Sequence, residues 1–228
     1  MPEIYHVLSR GVDKRKIFMD DRDRFRFVHD LFEFNDEAPA VNNNYYNFRR
    51  PNNDFVISTD QQNRASRKLL VEVLSFCLMP NHYHLLLSPL VENGLSLFMK
   101  KLNIGYAKFF NQRYERVGTL FEGRFKSVLV GSQAHFIHLP YYIHLNPLDL
   151  AAPEWRERKI NDFKKAINFL DSYRWSSHLD YKGEKNFPSV TQRDLLLEIF
   201  GGKEGYNKKF RNWLKELNLN RLKDYTLE

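Results

Sequence analysis

Apolar and polar positions along this chain follow two periods, and their succession sketches a fold. Residues 4–10, Ile-Tyr-His-Val-Leu-Ser-Arg, are β-branched, aromatic or apolar and predict a strand. Gly11 and Asp13 turn the chain, and Asp20-Asp21 put negative charge where a helix N-terminus welcomes it. Phe25, Val28, Leu31 and Phe32 then recur at helical spacing to about residue 35. The apolar run 69–79, the turn Pro80-Asn81 and the segment 82–87 predict an antiparallel hairpin. A long helix over about 95–114, capped by Ser96, carries a stripe of Leu95, Phe98, Met99, Leu102, Tyr106, Phe109 and Phe110. Residues 125–130 read as a fourth strand. A helix from about Ser132 to His144 stops at Asn146-Pro147.

The order β-α-β-β-α-β followed by a helix predicts an α+β fold with a ferredoxin-like core, an antiparallel sheet with helices on one face. Residues 1–150 form that core domain. Residues 151–228 read as a mainly helical extension, packed on the core or appended to it. Residues 36–66 break the periodicity with Asn42-Asn43-Asn44, Asn52-Asn53, Pro39 and Pro51, and predict a long surface insertion. That insertion is either a tolerated loop or a flap that touches a ligand.

Composition narrows the function classes. One cysteine among 228 residues, Cys77, excludes an internal disulfide and a cysteine zinc cluster. No apolar run of about 18 residues exists, and no secretory signal opens the chain, so a cytoplasmic location away from membranes is expected. The net charge of +7 and 15% aromatic content make nucleic acid a plausible partner. The excess is uneven: residues 100–126 carry a net +5, from Lys100, Lys101, Lys108, Arg113, Arg116, Arg124 and Lys126 against Glu115 and Glu122. Arg124, Lys126, Lys108 and Arg113 are the expected phosphate contacts. Phe109 and Phe110 fit the apolar stripe and are expected in the core.

Chemistry concentrates in two short segments. In Pro80-Asn81-His82-Tyr83-His84, strand alternation points His82 and His84 to one face and Tyr83 to the other. Two imidazoles at that spacing can hold one cation, or simply sit on a half-buried strand. In Tyr142-Ile143-His144-Leu145-Asn146-Pro147, Tyr142 and Asn146 share a helix face. A cation on His82, His84 and the Asn146 oxygen would polarise a target, and Tyr142 would be a nucleophile one turn away. Tyr141 stands next to it; the four-residue spacing to Asn146 favours Tyr142. His6 either lies beside this site or packs, and His135 and His138 are expected to be bystanders.

These segments resemble the HUH endonucleases, whose signature is the His-hydrophobic-His of residues 82–84. The lone downstream Tyr142 is similar to the nucleophile of the single-tyrosine transposases of insertion sequences. Tyr5 to Gly11, Phe76 to His84, Leu120 to Ser127, Tyr142 to Pro147 and Trp175-Ser176-Ser177 resemble, in order, the subgroup of REP-associated tyrosine transposases. The resemblance spans about residues 4–180. It implies His82, His84 and Asn146 as ligands of a divalent cation, Mg²⁺ or Mn²⁺, and Tyr142 as the attacking residue. It implies Arg124 and Lys126 near a DNA backbone, and single-stranded or hairpin DNA with palindromic repeats as substrate. Cleavage would leave a 5′-phosphotyrosine link and a free 3′-OH, in a monomer or a homodimer.

Three features depart from the family's pattern: Pro140 just before Tyr142, the long insertion 36–66, and a charged segment at 151–170. They bear on the nucleophile's geometry and on DNA specificity. Other readings of the same residues are a non-catalytic nucleic-acid binder, a hydrolytic metal nuclease with a structural Tyr142, and a structural metal site.

Overall fold

The computed structural model describes residues 2–39, 67–131 and 133–216. Most of the 36–66 insertion therefore lies outside the described residues, as do Ser132 and the chain beyond 216. Four strands, β1 (Tyr5–Arg10), β2 (Val71–Met79), β3 (His82–Pro89) and β4 (Lys126–Leu129), form one antiparallel sheet in the order β2-β3-β1-β4. Helix α1 (Asp21–Glu33) links β1 to β2, and α2 (Gly94–Arg113) links β3 to β4. This is the expected split βαβ arrangement, and the fold class is α+β.

The helices start and stop for local reasons. Asp20 caps α1 by accepting from the Asp23 amide at 3.2 Å. Helix α2 opens at Asn93 in a left-handed conformation with no side-chain cap, so Ser96 lies inside the helix and not at its start. Helix α3 (Gln133–Leu145) runs through Pro140 and gives way to a 3-10 turn over Asn146–Leu150. Pro140 thus neither ends nor begins the helix.

Helices cover both faces of the sheet, which corrects the expectation of one face. The β1–β3 register sets His6 opposite Leu86, Leu8 opposite His84 and Arg10 opposite His82, so these six share a face. Cys77 and Met79 of β2 join them. Helix α3 packs there, in a core that holds Cys77, Met79, Leu86, Leu139, Tyr142 and Ile143. The other face presents Val7, Val73, Phe76, Leu78, Tyr83, Leu85 and Leu87 to α1 and α2. Burial on both sides explains why β2 and β3 read as near-continuous apolar runs rather than alternating ones.

The extension is packed on the core. A second 3-10 turn (Pro153–Glu157) leads to α4 (Phe163–Ser172), α5 (His178–Lys182), α6 (Asp194–Phe200) and α7 (Gly202–Glu216). Tyr206, Phe210, Trp213 and Leu214 of α7 close over α3 in the same core as Tyr141. Trp175-Ser176-Ser177 lies along the outer edge of β2: the Leu78 amide donates to the Trp175 carbonyl at 2.8 Å, and the Ser177 amide to the Phe76 carbonyl at 3.0 Å. That segment therefore covers a sheet edge that would otherwise expose unpaired backbone. No described helix is long and apolar enough to cross a membrane.

Candidate active site

The hairpin turn does more than reverse the chain. The Asn81 amide nitrogen donates to the Lys14 carbonyl at 3.2 Å, which turns its oxygen toward His82. His82 Nδ1 donates to that oxygen at 2.6 Å, so the lone pair of this imidazole sits on Nε2. Gly11 holds the same corner. Its amide donates to the Asn81 carbonyl at 2.8 Å, and a Cβ there would stand 2.4 Å from the Arg15 carbonyl. Only glycine lets the strand end pass so close to the following turn.

His82 and His84 stand with ring centroids 5.0 Å apart and perpendicular planes. His6, on the neighbouring strand, stacks on His84 with ring centroids 5.2 Å apart, and its Nε2 lies 2.9 Å from His84 Nδ1. The Tyr142 ring stands edge-on to both His6 and His84, 6.1 Å from each. Sequence reasoning leaves His6 between two roles; the structure puts it against both His84 and Tyr142. The signal is present in the strand parity of residues 4–10, once β1 and β3 are known to be neighbours.

The two adjacent tyrosines part company. Tyr141 faces the extension, stacked on Phe200 at 5.0 Å, and burial pushes its phenol well up from the usual range. Tyr142 faces the histidines. Its hydroxyl accepts from Arg156 Nη1 at 2.9 Å, and Arg156 Nη2 donates to the Asn146 oxygen at 2.8 Å. The Asn146 amide nitrogen donates back to the Tyr142 carbonyl at 2.9 Å. Arg156 is the participant that sequence reasoning missed. It comes from the charged 151–170 segment, and no local pattern links residue 156 to residue 142.

The donors suit a divalent cation. The lone pair on His82 Nε2 is set by Asn81, His84 has His6 as an orienting partner, and the amide oxygen of Asn146 keeps a second lone pair beside its bond to Arg156. Among the described residues, no three His, Cys, Asp or Glu side chains converge to hold a metal.

The basic candidates divide. Lys126 pairs with Leu8, which pairs with His84. Lys126 therefore sits on the histidine face at the sheet edge, about 10 Å from His84 by two strand spacings. Arg124 is exposed just before it, where Glu122 bonds to the Arg10 carbonyl at the His82 end of β1. Arg10 itself stands opposite His82, a pairing that no local sequence pattern signals. Arg113 has partners within the fold. Its guanidinium bonds to Asp20 at 2.8 Å and to buried Asp23, tying the end of α2 to the start of α1. Lys108 is exposed, but α2 covers the face opposite the histidines, so Lys108 is not beside the site. Tyr106 and Phe110 are buried in that layer rather than displayed to bases.

The other histidines are placed elsewhere. His138 stacks on Trp213. His144 Nε2 lies 2.7 Å from Ser177 Oγ, and its Nδ1 lies 2.8 Å from the Tyr206 hydroxyl, which also meets His178 Nδ1 at 2.7 Å. Burial holds His144 well below the usual imidazole range, with His178 beside it adding to the effect.

Comparison with known proteins finds one family in the centre of the chain. Residues 60–146 match the family described as Transposase IS200 like. The transposase match takes in His82, His84, Tyr142 and Asn146, and leaves out β1 with His6, the Arg156 segment and helices α4 to α7. One solved structure, a REP-associated tyrosine transposase bound to a REP hairpin, aligns at a TM-score of 0.48 and 11% identity, over 85% of this chain and 87% of that one. No curated protein matches in sequence.

Proposed function

We propose that the protein is a metal-dependent transposase that nicks and rejoins single-stranded DNA beside hairpins, with Tyr142 as nucleophile. The observation that carries this reading is the meeting of Tyr142 with the histidine face: its ring stands 6.1 Å from both His6 and His84, and its hydroxyl is held by Arg156. Buried tyrosines that only pack here give their hydroxyls to backbone carbonyls, as Tyr181 does to Leu74 at 2.6 Å, whereas Tyr142 meets a cation and two imidazoles.

His82 and His84, with Asn146, would hold Mg²⁺ or Mn²⁺, a Lewis acid that supplies charge neutralisation at a phosphate oxygen. The chain's own residues do the rest. Arg10, Arg124 and Lys126 bind backbone phosphates along the sheet edge. The Tyr142 oxygen attacks the scissile phosphorus, the P–O3′ bond breaks, and the departing oxygen gains the proton that the phenol loses. The products are a 5′-phosphotyrosine and a 3′-OH, and attack by another 3′-OH rejoins the strand. The bond energy is conserved in the ester, so no external energy source is required.

The test is a labelled oligonucleotide with an imperfect hairpin and a single-stranded tail, drawn from palindromes flanking the gene, incubated with Mg²⁺ or Mn²⁺. The expected result is a covalent adduct on a denaturing gel, mapped to the Tyr142 peptide and abolished in Tyr142→Phe. A free 5′-phosphate without adduct would mean a hydrolytic nuclease. Binding with no cleavage in any metal would mean a non-catalytic DNA-binding protein.

A further inference from the structure

We infer that Arg156 is a positioning residue of the cleavage site, one that fixes the Tyr142 oxygen and the Asn146 oxygen on a single rigid guanidinium. The inference rests on Tyr142 being the nucleophile.

The guanidinium is anchored on every side. Asp149 accepts from Nε at 2.9 Å and from Nη2 at 2.8 Å, a bidentate pair of fixed geometry. Trp155 lies under the plane, 4.3 Å from Cζ to the ring centroid, and its own indole N–H donates to Asp149 at 2.6 Å. The carboxylate is thereby held from two directions. The fork then reaches two oxygens four residues apart, on Tyr142 of α3 and on Asn146 at the start of the 3-10 turn that follows it. Arg156 therefore joins the proposed nucleophile and a proposed ligand through one planar group.

Arg156 is also the outer member of the set. Tyr142 is 1% exposed and Asn146 is fully buried, whereas the Arg156 side chain is 29% exposed. A phosphodiester that comes to Tyr142 arrives beside this cation. A guanidinium that donates to the attacking oxygen opposes its rotation away from the phosphorus and balances the negative charge it carries at the moment of attack. Neither effect needs a contact with the hairpin, so the rate should depend on Arg156 far more than the affinity does.

Three measurements test this with the hairpin oligonucleotide: single-turnover adduct formation, hairpin affinity, and Mn²⁺ affinity of the protein alone by electron paramagnetic resonance. Arg156→Ala is expected to slow adduct formation about 100-fold, as loss of a pre-set donor does in other active sites, with hairpin affinity within about threefold. Mn²⁺ affinity is expected to fall about tenfold, because Asn146 loses its orienting partner. Arg156→Lys keeps the charge and the stem packing on Trp155 but not the fork, and should recover about tenfold of the rate. This lysine variant carries the test if the alanine variant does not fold. Overturning results are an alanine or lysine variant at the wild-type rate, or tighter Mn²⁺ binding without Arg156, which would make the arginine a blocking group. A wild-type protein that forms no Tyr142 adduct would instead defeat the proposed function, and that control precedes the Arg156 variants.

Discussion

Residue type alone ranks Arg113 and Lys126 as equal phosphate ligands, and their surroundings separate them. Arg113 neutralises buried Asp23 and exposed Asp20, so its charge is already spent inside the fold. Arg113→Ala leaves the Asp23 carboxylate buried without that cation, though Met19 N and the Tyr114 hydroxyl still donate to it. A loss of about 2–3 kcal/mol in unfolding free energy is expected from urea titration, with the salt dependence of hairpin binding unchanged. Lys126→Ala should do the reverse. Stability stays within about 0.5 kcal/mol, and the slope of log affinity against log salt becomes shallower by about one. If Arg113→Ala weakened hairpin binding without destabilising the fold, the structural assignment of its ion pairs would fail.

At the scale of elements, α3 is the hinge between the two halves of the chain. One of its faces brings Tyr142 to the histidines, and another brings Tyr141, His144 and Leu145 to the extension. The Tyr206 hydroxyl of α7 binds His144 of α3 and His178 of α5 together. Tyr206→Phe keeps the ring packing and leaves two buried imidazole nitrogens without that partner. A destabilisation of about 1–3 kcal/mol is expected, with faster amide exchange in α3. Unchanged exchange in α3 would show that α7 does not steady the nucleophile's helix. The strand parity of His82 and His84, the Tyr142–Asn146 spacing and the split βαβ order are legible from the amino-acid pattern, because each is a local period of one element or a succession of such periods. A cap at Ser96 is the wrong start for α2: the helix opens at Asn93, a residue type that favours N-caps, although in its left-handed backbone its side chain makes no capping bond.

For the whole molecule, the buried His144 and His178 weaken the fold in acid, while buried Asp30, pushed up to about 7 by burial, works in the opposite direction. Burial lowers both from the ordinary imidazole value, with Asp171 opposing the effect at His178. The unfolded chain therefore takes up protons first. Stability is complete above the unfolded imidazole pKa of about 6.5 and declines as pH falls through it. The loss from each imidazole continues only until pH reaches that group's folded value, and Asp30 offsets part of it over the same window. In urea titrations at pH 7 and pH 5, replacing His178 with asparagine should make the change toward acid less destabilising than in wild type, since Asp30 contributes equally to both proteins. The same loss in wild type and in the His178 variant would contradict the burial of a neutral imidazole at that position. The extension is thus part of the core's stability and pH response, whereas its sequence is compatible with binding DNA, mediating association or capping the core.

The sequence by itself determined the order of elements, the shared face of His82 and His84, the turn of helix between Tyr142 and Asn146, and the family-like series of motifs. Those are properties of short segments, where backbone geometry fixes the direction of each side chain. Only the tertiary structure decided that His6 meets His84, that Tyr142 and not Tyr141 faces the histidines, that Arg113 is consumed by aspartates, that Lys108 lies across the sheet from the site, and that Arg156 reaches the Tyr142 oxygen. Each of those depends on which elements pack together, and packing joins residues whose separation along the chain carries no periodic signal.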